Sequence, residues 1–291
     1  MDNFLRSLYQ ERASQPSTLG IIFIEKKDHH FYLTDTFDCI LLIITSETHM
    51  EFFSKHYVYD NEKIALYIFP HHRLEKWLLT GTNPQIVGWL YEGKIIFDRN
   101  DYISQLIQNL KDFPFHERKI RIGLEFAKLI KRYNEGKMLY EEGEFLDAHS
   151  QIIKSLHYLG RLALIEKGYH PEIIVWNQVK RIDPDVYKIY EELINSEEPL
   201  NKRLELLFLA IEFFIHSRTE IGVSHILEVL NEQKYWTIQQ ICEHPEIELY
   251  GTNIFTLVEY LIEKGYICVT LEESKGKGIF HRYYKKVTDL N

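Results

Sequence analysis

Residues 35–45, Asp-Thr-Phe-Asp-Cys-Ile-Leu-Leu-Ile-Ile-Thr, are the stretch that decides the fold of this chain. From Phe37 to Thr45 the residues are almost all apolar, which predicts a strand buried on both faces of a sheet. Asp38 stands at the entry of that strand. An ionised carboxylate there loses hydration unless it lies at the rim of the sheet or binds a cation. The stretch therefore indicates a central strand with a carboxylate at one end.

Two other apolar runs lie on either side of this strand along the chain. Leu19–Glu25 and Lys63–Phe69 are both bounded by polar residues, as buried strands are. Four more elements are predicted within residues 1–115 from helical spacing or a short apolar run: helix Asn3–Ala13, helix His71–Leu79, strand Gly93–Phe97 and helix Tyr102–Leu110. Strands that alternate with helices predict a sheet covered by helices.

Residues 116–218 have an almost purely helical pattern. Glycine and proline residues fall between the amphipathic segments, where helix boundaries are expected. The five predicted helices are His116–Glu135, Glu144–Lys167, Ile173–Lys180, Asp185–Asn195 and Leu200–Ile215.

Residues 219–291 have the element order of a winged helix, three helices followed by a hairpin. The predicted elements are helices Gly222–Asn231, Thr237–His244 and Thr252–Lys264, then strands Tyr266–Leu271 and Phe280–Val287. Thr237 is placed to cap the second helix and Gly265 to end the third. The whole sequence predicts an α+β chain of three domains: a mixed sheet with helices (1–115), an all-α helical domain (116–218) and a winged helix-turn-helix (219–291).

The composition is that of a globular protein, with 45% hydrophobic and 26% charged residues among 291. No apolar stretch approaches the roughly 20 residues of a membrane span, and the first residues lack the pattern of a signal peptide. Three widely spaced cysteines indicate buried thiols in a reducing compartment. The sequence therefore predicts a soluble cytoplasmic protein. Its net charge of −9 argues against general affinity for nucleic acid and leaves room for one basic patch.

The carboxylate at the strand entry suggests a specific chemistry. Metal-dependent nucleotidyl transfer uses two carboxylates two residues apart, which point to one face of a strand and share Mg²⁺ with a third from a neighbouring strand. With Leu19–Glu25 as the first strand and Phe37–Thr45 as the second, the chain resembles the superfamily of DNA polymerase β and kanamycin nucleotidyltransferase. That resemblance implies a nucleotidyltransferase-like fold and Mg²⁺ as cofactor.

The resemblance extends over nearly the full length. Gly88–Asp101 is similar to the strand that precedes a closing helix in many members. Gly143–Ala148 and Lys167–Pro171 are similar to their accessory helical domain. The chain as a whole resembles uncharacterised nucleotidyltransferase-like proteins of Bacillus and relatives, which have this domain, a helical substrate-binding-like domain and a winged helix.

The expected carboxylate set is incomplete. No Gly-Ser pair follows the first strand, and Asp38 can be matched only with Ile40 or with Thr36 at the other position of the pair. The interior of Lys63–Phe69 has no acid to supply the third ligand. The sequence therefore favours a degenerate site. In the alternative, Asp35 and Asp38 act together as catalytic and metal-binding residues from a bent strand entry, with Glu25 or Glu62 as the third ligand.

The winged helix divides its charges unevenly. Residues 221–274 contain nine acids and two lysines, and the predicted recognition helix carries Glu259 and Glu263. Such a helix is poorly suited to the major groove. The candidate nucleic-acid contacts are the basic wing and the start of that helix: Lys275, Lys277, Arg282, Lys285, Lys286, Thr252 and Asn253. Docking of a protein partner is an equally good interpretation.

Three functions remain open from the sequence. The favoured one is a catalytically degenerate nucleotidyltransferase-like module that binds nucleotide or nucleic acid for regulation. The second is an active Mg²⁺-dependent nucleotidyltransferase with an atypical carboxylate set around Asp38. The third is a winged-helix DNA-binding regulator whose first two domains sense a ligand.

Overall fold

A computed structural model describes residues 2–27, 31–49 and 51–287. The chain divides into two compact units. Residues 1–114 with 170–174 form the first, and residues 115–169 with 175–291 form the second.

The first unit is built on a five-stranded mixed sheet. Its strands are β1 (Thr18–Glu25), β2 (Cys39–Thr45), β3 (Phe53–Tyr59), β4 (Glu62–Pro70) and β5 (Lys94–Asp98). They lie in the order β3-β4-β2-β1-β5, with β2 and β4 parallel and the other pairs antiparallel. All seven residues of β2 are buried, as its continuous apolar run predicts.

Helices cover one face of this sheet, and the first helix packs on the other. The helices of this unit are α1 (Asp2–Ser14), α2 (Phe31–Thr34), α3 (His71–Thr80), α4 (Gln85–Glu92) and α5 (Tyr102–Asp112). Alternate residues of β2 point to opposite faces. Ile40 and Leu42 join the larger core with α3, α4 and α5, whereas Leu41 packs in a smaller one with Tyr9 of α1.

The sequence analysis did not predict three elements among the described residues of this unit, namely α2, β3 and α4. The side chains of β3 are mostly exposed because it is the edge strand beside β4, so it lacks a buried apolar pattern. The predicted strand Phe37–Thr45 is shorter in the structure and begins at Cys39.

The second unit begins with long packed helices. They are α6 (Phe115–Glu141), α7 (Phe145–Glu166), α8 (Val175–Ile182), α9 (Pro184–Asn195) and α10 (Leu200–Leu230). An ion group is buried between α6 and α7. The carboxylate of Glu125, only 1% exposed, accepts bonds from Arg161 Nε at 3.1 Å and Nη2 at 3.2 Å, and from Lys128 Nζ at 3.1 Å.

The C-terminal part of this unit is a winged helix, as predicted. After α10 come α11 (Ile238–Glu243), α12 (Asn253–Glu263) and the hairpin of β6 (Ile267–Glu273) with β7 (Phe280–Lys286). Thr237 and Gln240 form a capping box at the start of α11, and Gly265 adopts a left-handed conformation (φ 77°) after α12. Both sequence predictions for these two residues are confirmed.

The two helices predicted on either side of residue 219 are one continuous helix, α10. Gly222 lies inside this helix, against the ring of Phe126 on α6, where a side chain would overlap the ring. The predicted division between residues 218 and 219 falls inside this helix and stays a prediction.

The three cysteines differ in their environments. Cys39 is buried, Cys242 is half-buried and Cys268 is exposed. The prediction of a buried thiol is wrong for Cys268, whose side chain is exposed on β6. Within the described residues, no helix combines the length and apolar character that a membrane span requires.

Candidate functional site

The predicted carboxylate site lies at one rim of the sheet, where β1 ends and β2 and β4 begin. Asp38 immediately precedes β2, and its Oδ2 atom accepts the backbone N–H of Lys63 at 2.8 Å. The ammonium group of Lys26 lies 3.9 Å from its Oδ1 atom, and both side chains are more than 40% exposed. Asp38 is therefore a rim residue with one amide donor and one nearby cation.

Asp35 lies in the turn between α2 and β2, with an exposed side chain and a left-handed backbone (φ 54°). Short polar residues such as aspartate tolerate that conformation in turns. Burial raises the pKa of the Cys39 thiol to about 12, and Glu62, Asp38 and Glu25 add to the effect. These three carboxylates thus lie close enough to Cys39 to disfavour its thiolate.

The rim residues do not fit the two-metal arrangement that the fold family implies. Ile40, two residues after Asp38, is 2% exposed and packs in the larger apolar core with Ala65 of β4. No group of three or more His, Cys, Asp or Glu side chains among the described residues is arranged to hold a metal ion. A two-ion clamp needs converging carboxylates, and Asp38 faces an apolar neighbour where the second would stand.

The candidate nucleic-acid residues of the wing differ in their availability. Lys275 and Lys277 are exposed in the loop between β6 and β7. Arg282 is bound instead by Glu259 of α12, with Nη1 2.8 Å from Oε1 and Nη2 3.2 Å from Oε2. The bidentate pair neutralises the acid on the recognition helix and occupies the arginine of the wing.

The remaining candidates are partly engaged within the protein. Lys285 and Lys286 are half-buried on β7. Thr252 Oγ1 accepts a bond from Lys131 Nζ at 3.3 Å, and Asn253 Nδ2 donates to the Tyr250 carbonyl at 3.0 Å. Of the seven predicted contacts, Lys275 and Lys277 are the two exposed side chains for which the structure gives no ion pair or side-chain hydrogen bond.

A histidine links the winged helix to the long helices. His225 of α10 is 1% exposed; its Nδ1 atom is 2.8 Å from the Tyr250 hydroxyl and its Nε2 atom 2.8 Å from Glu246. Burial lowers the pKa of His225, which favours the neutral ring. In the neutral form with its proton on Nε2, the ring donates to the Glu246 carboxylate and accepts from the Tyr250 hydroxyl. This contact holds the loop before α12 against α10.

The sequence did not predict a groove of about 420 Å³ between α6, α10 and α12. Tyr133, Lys137, Glu212, Tyr260 and Lys264 are among its lining residues. The i, i+4 spacing of Tyr133 and Lys137 places both on one side of α6. Only the packing of three helices from distant parts of the chain brings the other residues beside them.

Comparison with known proteins adds family matches along the chain. Residues 1–118 match the model described as nucleotidyltransferase-like, residues 119–218 the YgxA-like substrate binding domain, and residues 224–286 a helix-turn-helix domain. The α+β fold class predicted from the sequence is confirmed.

Two relatives cover almost the whole chain. The uncharacterized protein YgxA of Bacillus subtilis (strain 168) is 45% identical over 284 residues, which are 98% of this chain and 97% of that protein. The crystal structure of a nucleotidyltransferase-like protein from Exiguobacterium sibiricum 255-15 is 37% identical and has a TM-score of 0.85, covering 99% of this chain and 100% of the other. This chain therefore belongs to the family of nucleotidyltransferase-like proteins that have a YgxA-like substrate binding domain and a C-terminal helix-turn-helix domain.

Proposed function

We propose that this protein binds nucleotide or nucleic acid in a regulatory role and does not carry out metal-dependent nucleotidyl transfer. The observation that carries the proposal is the pair of positions at the start of β2, one just before the strand and one within it. One is Asp38, and the other is Ile40, packed in the apolar core. A single carboxylate at a half-exposed rim cannot bring two Mg²⁺ ions to an attacking group and a leaving group.

The rim offers a different contact for phosphate. Lys26 follows β1, where the resemblance expects a Gly-Ser pair, and its ammonium lies beside Asp38. An exposed ammonium pairs readily with a phosphate oxygen. We therefore propose that the Lys26 ammonium pairs directly with a phosphate of a nucleoside triphosphate, without a metal ion between them.

Calorimetric titration of each nucleoside triphosphate, with and without Mg²⁺, tests this function. We expect the native protein to bind a nucleotide without Mg²⁺. Binding should be about tenfold weaker in Lys26→Gln and no weaker in Asp38→Asn. Asparagine keeps an acceptor for the Lys63 amide, so that variant changes charge with little change in structure. Lys111→Gln, an exposed lysine on α5, is the matched control.

The alternative outcomes separate the hypotheses. Mg²⁺-dependent binding that Asp38→Asn abolishes would favour the active enzyme. No heat with any nucleotide, from a folded protein, would remove both nucleotide functions.

A second candidate function is nucleic-acid binding by the winged helix. The helix-turn-helix match and the exposed Lys275 and Lys277 in the wing loop favour it. The Glu259–Arg282 pair opposes it, because the carboxylate holds the arginine of the wing that would otherwise contact a phosphate.

Fluorescence anisotropy with duplex DNA at several salt concentrations tests this candidate. Glu259→Gln releases Arg282 and should strengthen binding several-fold, whereas Lys277→Gln should weaken it and reduce the salt slope by about one. Equal affinity of both variants and the native protein would exclude the wing as a nucleic-acid contact.

A further inference from the structure

The groove between α6, α10 and α12 has the features of a ligand site. Its volume of about 420 Å³ is within the range of small-molecule sites, about 300–1,000 Å³. It lies entirely within the second unit. One wall belongs to α12, the recognition helix of the winged helix, and the others belong to the long helices.

Two tyrosine rings in the groove already carry ammonium groups of the chain itself. Lys137 Nζ lies 5.9 Å from the centroid of Tyr133, and Lys264 Nζ lies 5.6 Å from that of Tyr260. Both tyrosine residues are only 6% exposed, so the positions of their rings are fixed by packing. An ammonium within about 6 Å of a ring face is attracted by the ring quadrupole. The two lysines mark where cationic groups are accepted.

The lysines themselves can be displaced. Both are exposed residues whose flexible stems let the charged group move into solvent. A ligand with ammonium groups can therefore take their places over the rings without moving a helix.

Carboxylates supply the counter-charges in the same groove. Three carboxylates and two lysines are among the lining residues; the carboxylates are Glu141, Glu212 and Glu263. Glu212 Oε2 accepts the hydroxyl of Tyr133 at 2.9 Å, which orients the carboxylate. Burial, together with Glu212, holds the pKa of Tyr133 above its usual value, so the phenol stays a donor at neutral pH.

We infer that this groove binds a flexible organic cation with two or more ammonium groups, such as a linear polyamine. The ammonium groups stack on Tyr133 and Tyr260 and pair with Glu212 and its neighbouring carboxylates. Once Lys137 and Lys264 have moved out, three carboxylates remain in the lining, and the protein's net charge of −9 favours the approach of a cation. The inference does not depend on the proposed nucleotide site.

Such a ligand would join elements of the two parts of the second unit. Glu212 and Tyr133 belong to the long helices. Tyr260 lies on α12 of the winged helix, and Lys264 directly follows that helix. A polyamine bound to both sets adds stability to their packing by mass action.

Calorimetric titration of spermidine into the full chain tests the inference. Glu212→Gln removes one charge of the groove, and we expect about tenfold weaker binding. The matched control is Glu142→Gln, which removes an exposed carboxylate that does not line the groove and should change the affinity less than twofold.

A second pair of variants tests for a change in spermidine affinity in the opposite direction. Lys137→Ala removes a competing ammonium and should tighten spermidine binding several-fold, whereas Lys111→Ala on α5 should not. Both lysines are exposed, so these variants are expected to fold.

Three results would overturn the inference: no binding of spermidine to the native protein, equal losses in Glu212→Gln and Glu142→Gln, or weaker binding in Lys137→Ala. Equal losses would mean that spermidine is held only by general attraction to an acidic surface.

Discussion

Replacing Glu125 by glutamine removes the carboxylate that balances the buried cations between α6 and α7. Burial by itself raises the pKa of Glu125. The charges of Arg161 and Lys128, together with the hydrogen bonds that Arg161 donates, more than offset that effect and lower the pKa of Glu125 from 4.5 to about 2. Glu125 is therefore ionised in the folded protein and contributes stability that is fully present above pH 4.5 and lost as the pH falls toward 2.

The magnitude follows from the same shift. The difference between 4.5 and about 2, at 1.36 kcal/mol per pKa unit, corresponds to about 3 kcal/mol. Loss of one partner from a buried ion pair costs a similar amount, about 3–5 kcal/mol. We expect Glu125→Gln to lower the free energy of unfolding by about 3 kcal/mol at pH 7.

Urea unfolding followed by circular dichroism measures this difference at pH 7 and at pH 3.5. The gap between the native protein and Glu125→Gln should shrink by about 1 kcal/mol over that range, because the unfolded carboxylate binds a proton that the folded one does not. Glu142→Gln, which removes an exposed carboxylate, should stay within about 0.5 kcal/mol of the native protein. A Glu125→Gln variant as stable as this control, or a gap that does not change with pH, would mean that an ionised Glu125 does not stabilise the packing of α6 against α7.

Three other predictions concern the contacts of the winged helix. Burial lowers the pKa of His225, so this histidine binds a proton more readily in the unfolded state, and the stability of the protein should fall as the pH drops below about 6.5. Between pH 7.5 and pH 5.5 the melting temperature of His225→Asn should therefore decline less than that of the native protein. Gly222→Ala should lower the melting temperature, although alanine favours helices, because its methyl group overlaps the Phe126 ring; a rise would contradict the packing. Thr237→Ala removes the cap of α11 and should cost about 1 kcal/mol in urea unfolding, whereas Thr237→Ser should retain most of that stability.

The parts of the fold that depend on local pattern were predictable from the sequence. β2 and β4 are continuous apolar runs because both faces of the sheet are covered, and Thr237 and Gly265 carry local capping signals. The edge strand β3 has no such pattern. Gly222 looked like a helix boundary, but it lies inside α10, where the ring of Phe126 leaves no room for a side chain.

The candidate sites depend more on contacts between distant residues. Asp38 was identified because a carboxylate at the start of an apolar strand is unusual. Glu259 and Arg282 entered the sequence analysis separately, as an unfavourable acid and a favourable base, and the structure pairs them. The groove beside Tyr133 and Tyr260 requires the packing of α6 against α10 and α12, which no local spacing predicts.

Asp38 is the one carboxylate of the expected pair, and we therefore expect it not to support nucleotidyl transfer. The most direct test of this expectation is the release of pyrophosphate from each ribonucleoside triphosphate by the native protein and by Asp38→Asn, with Mg²⁺ and with EDTA. We expect release to stay at the level of the buffer in all four combinations, although the nucleotide binds. Release that requires Mg²⁺ and disappears in Asp38→Asn would contradict it and identify an active enzyme with an atypical metal site.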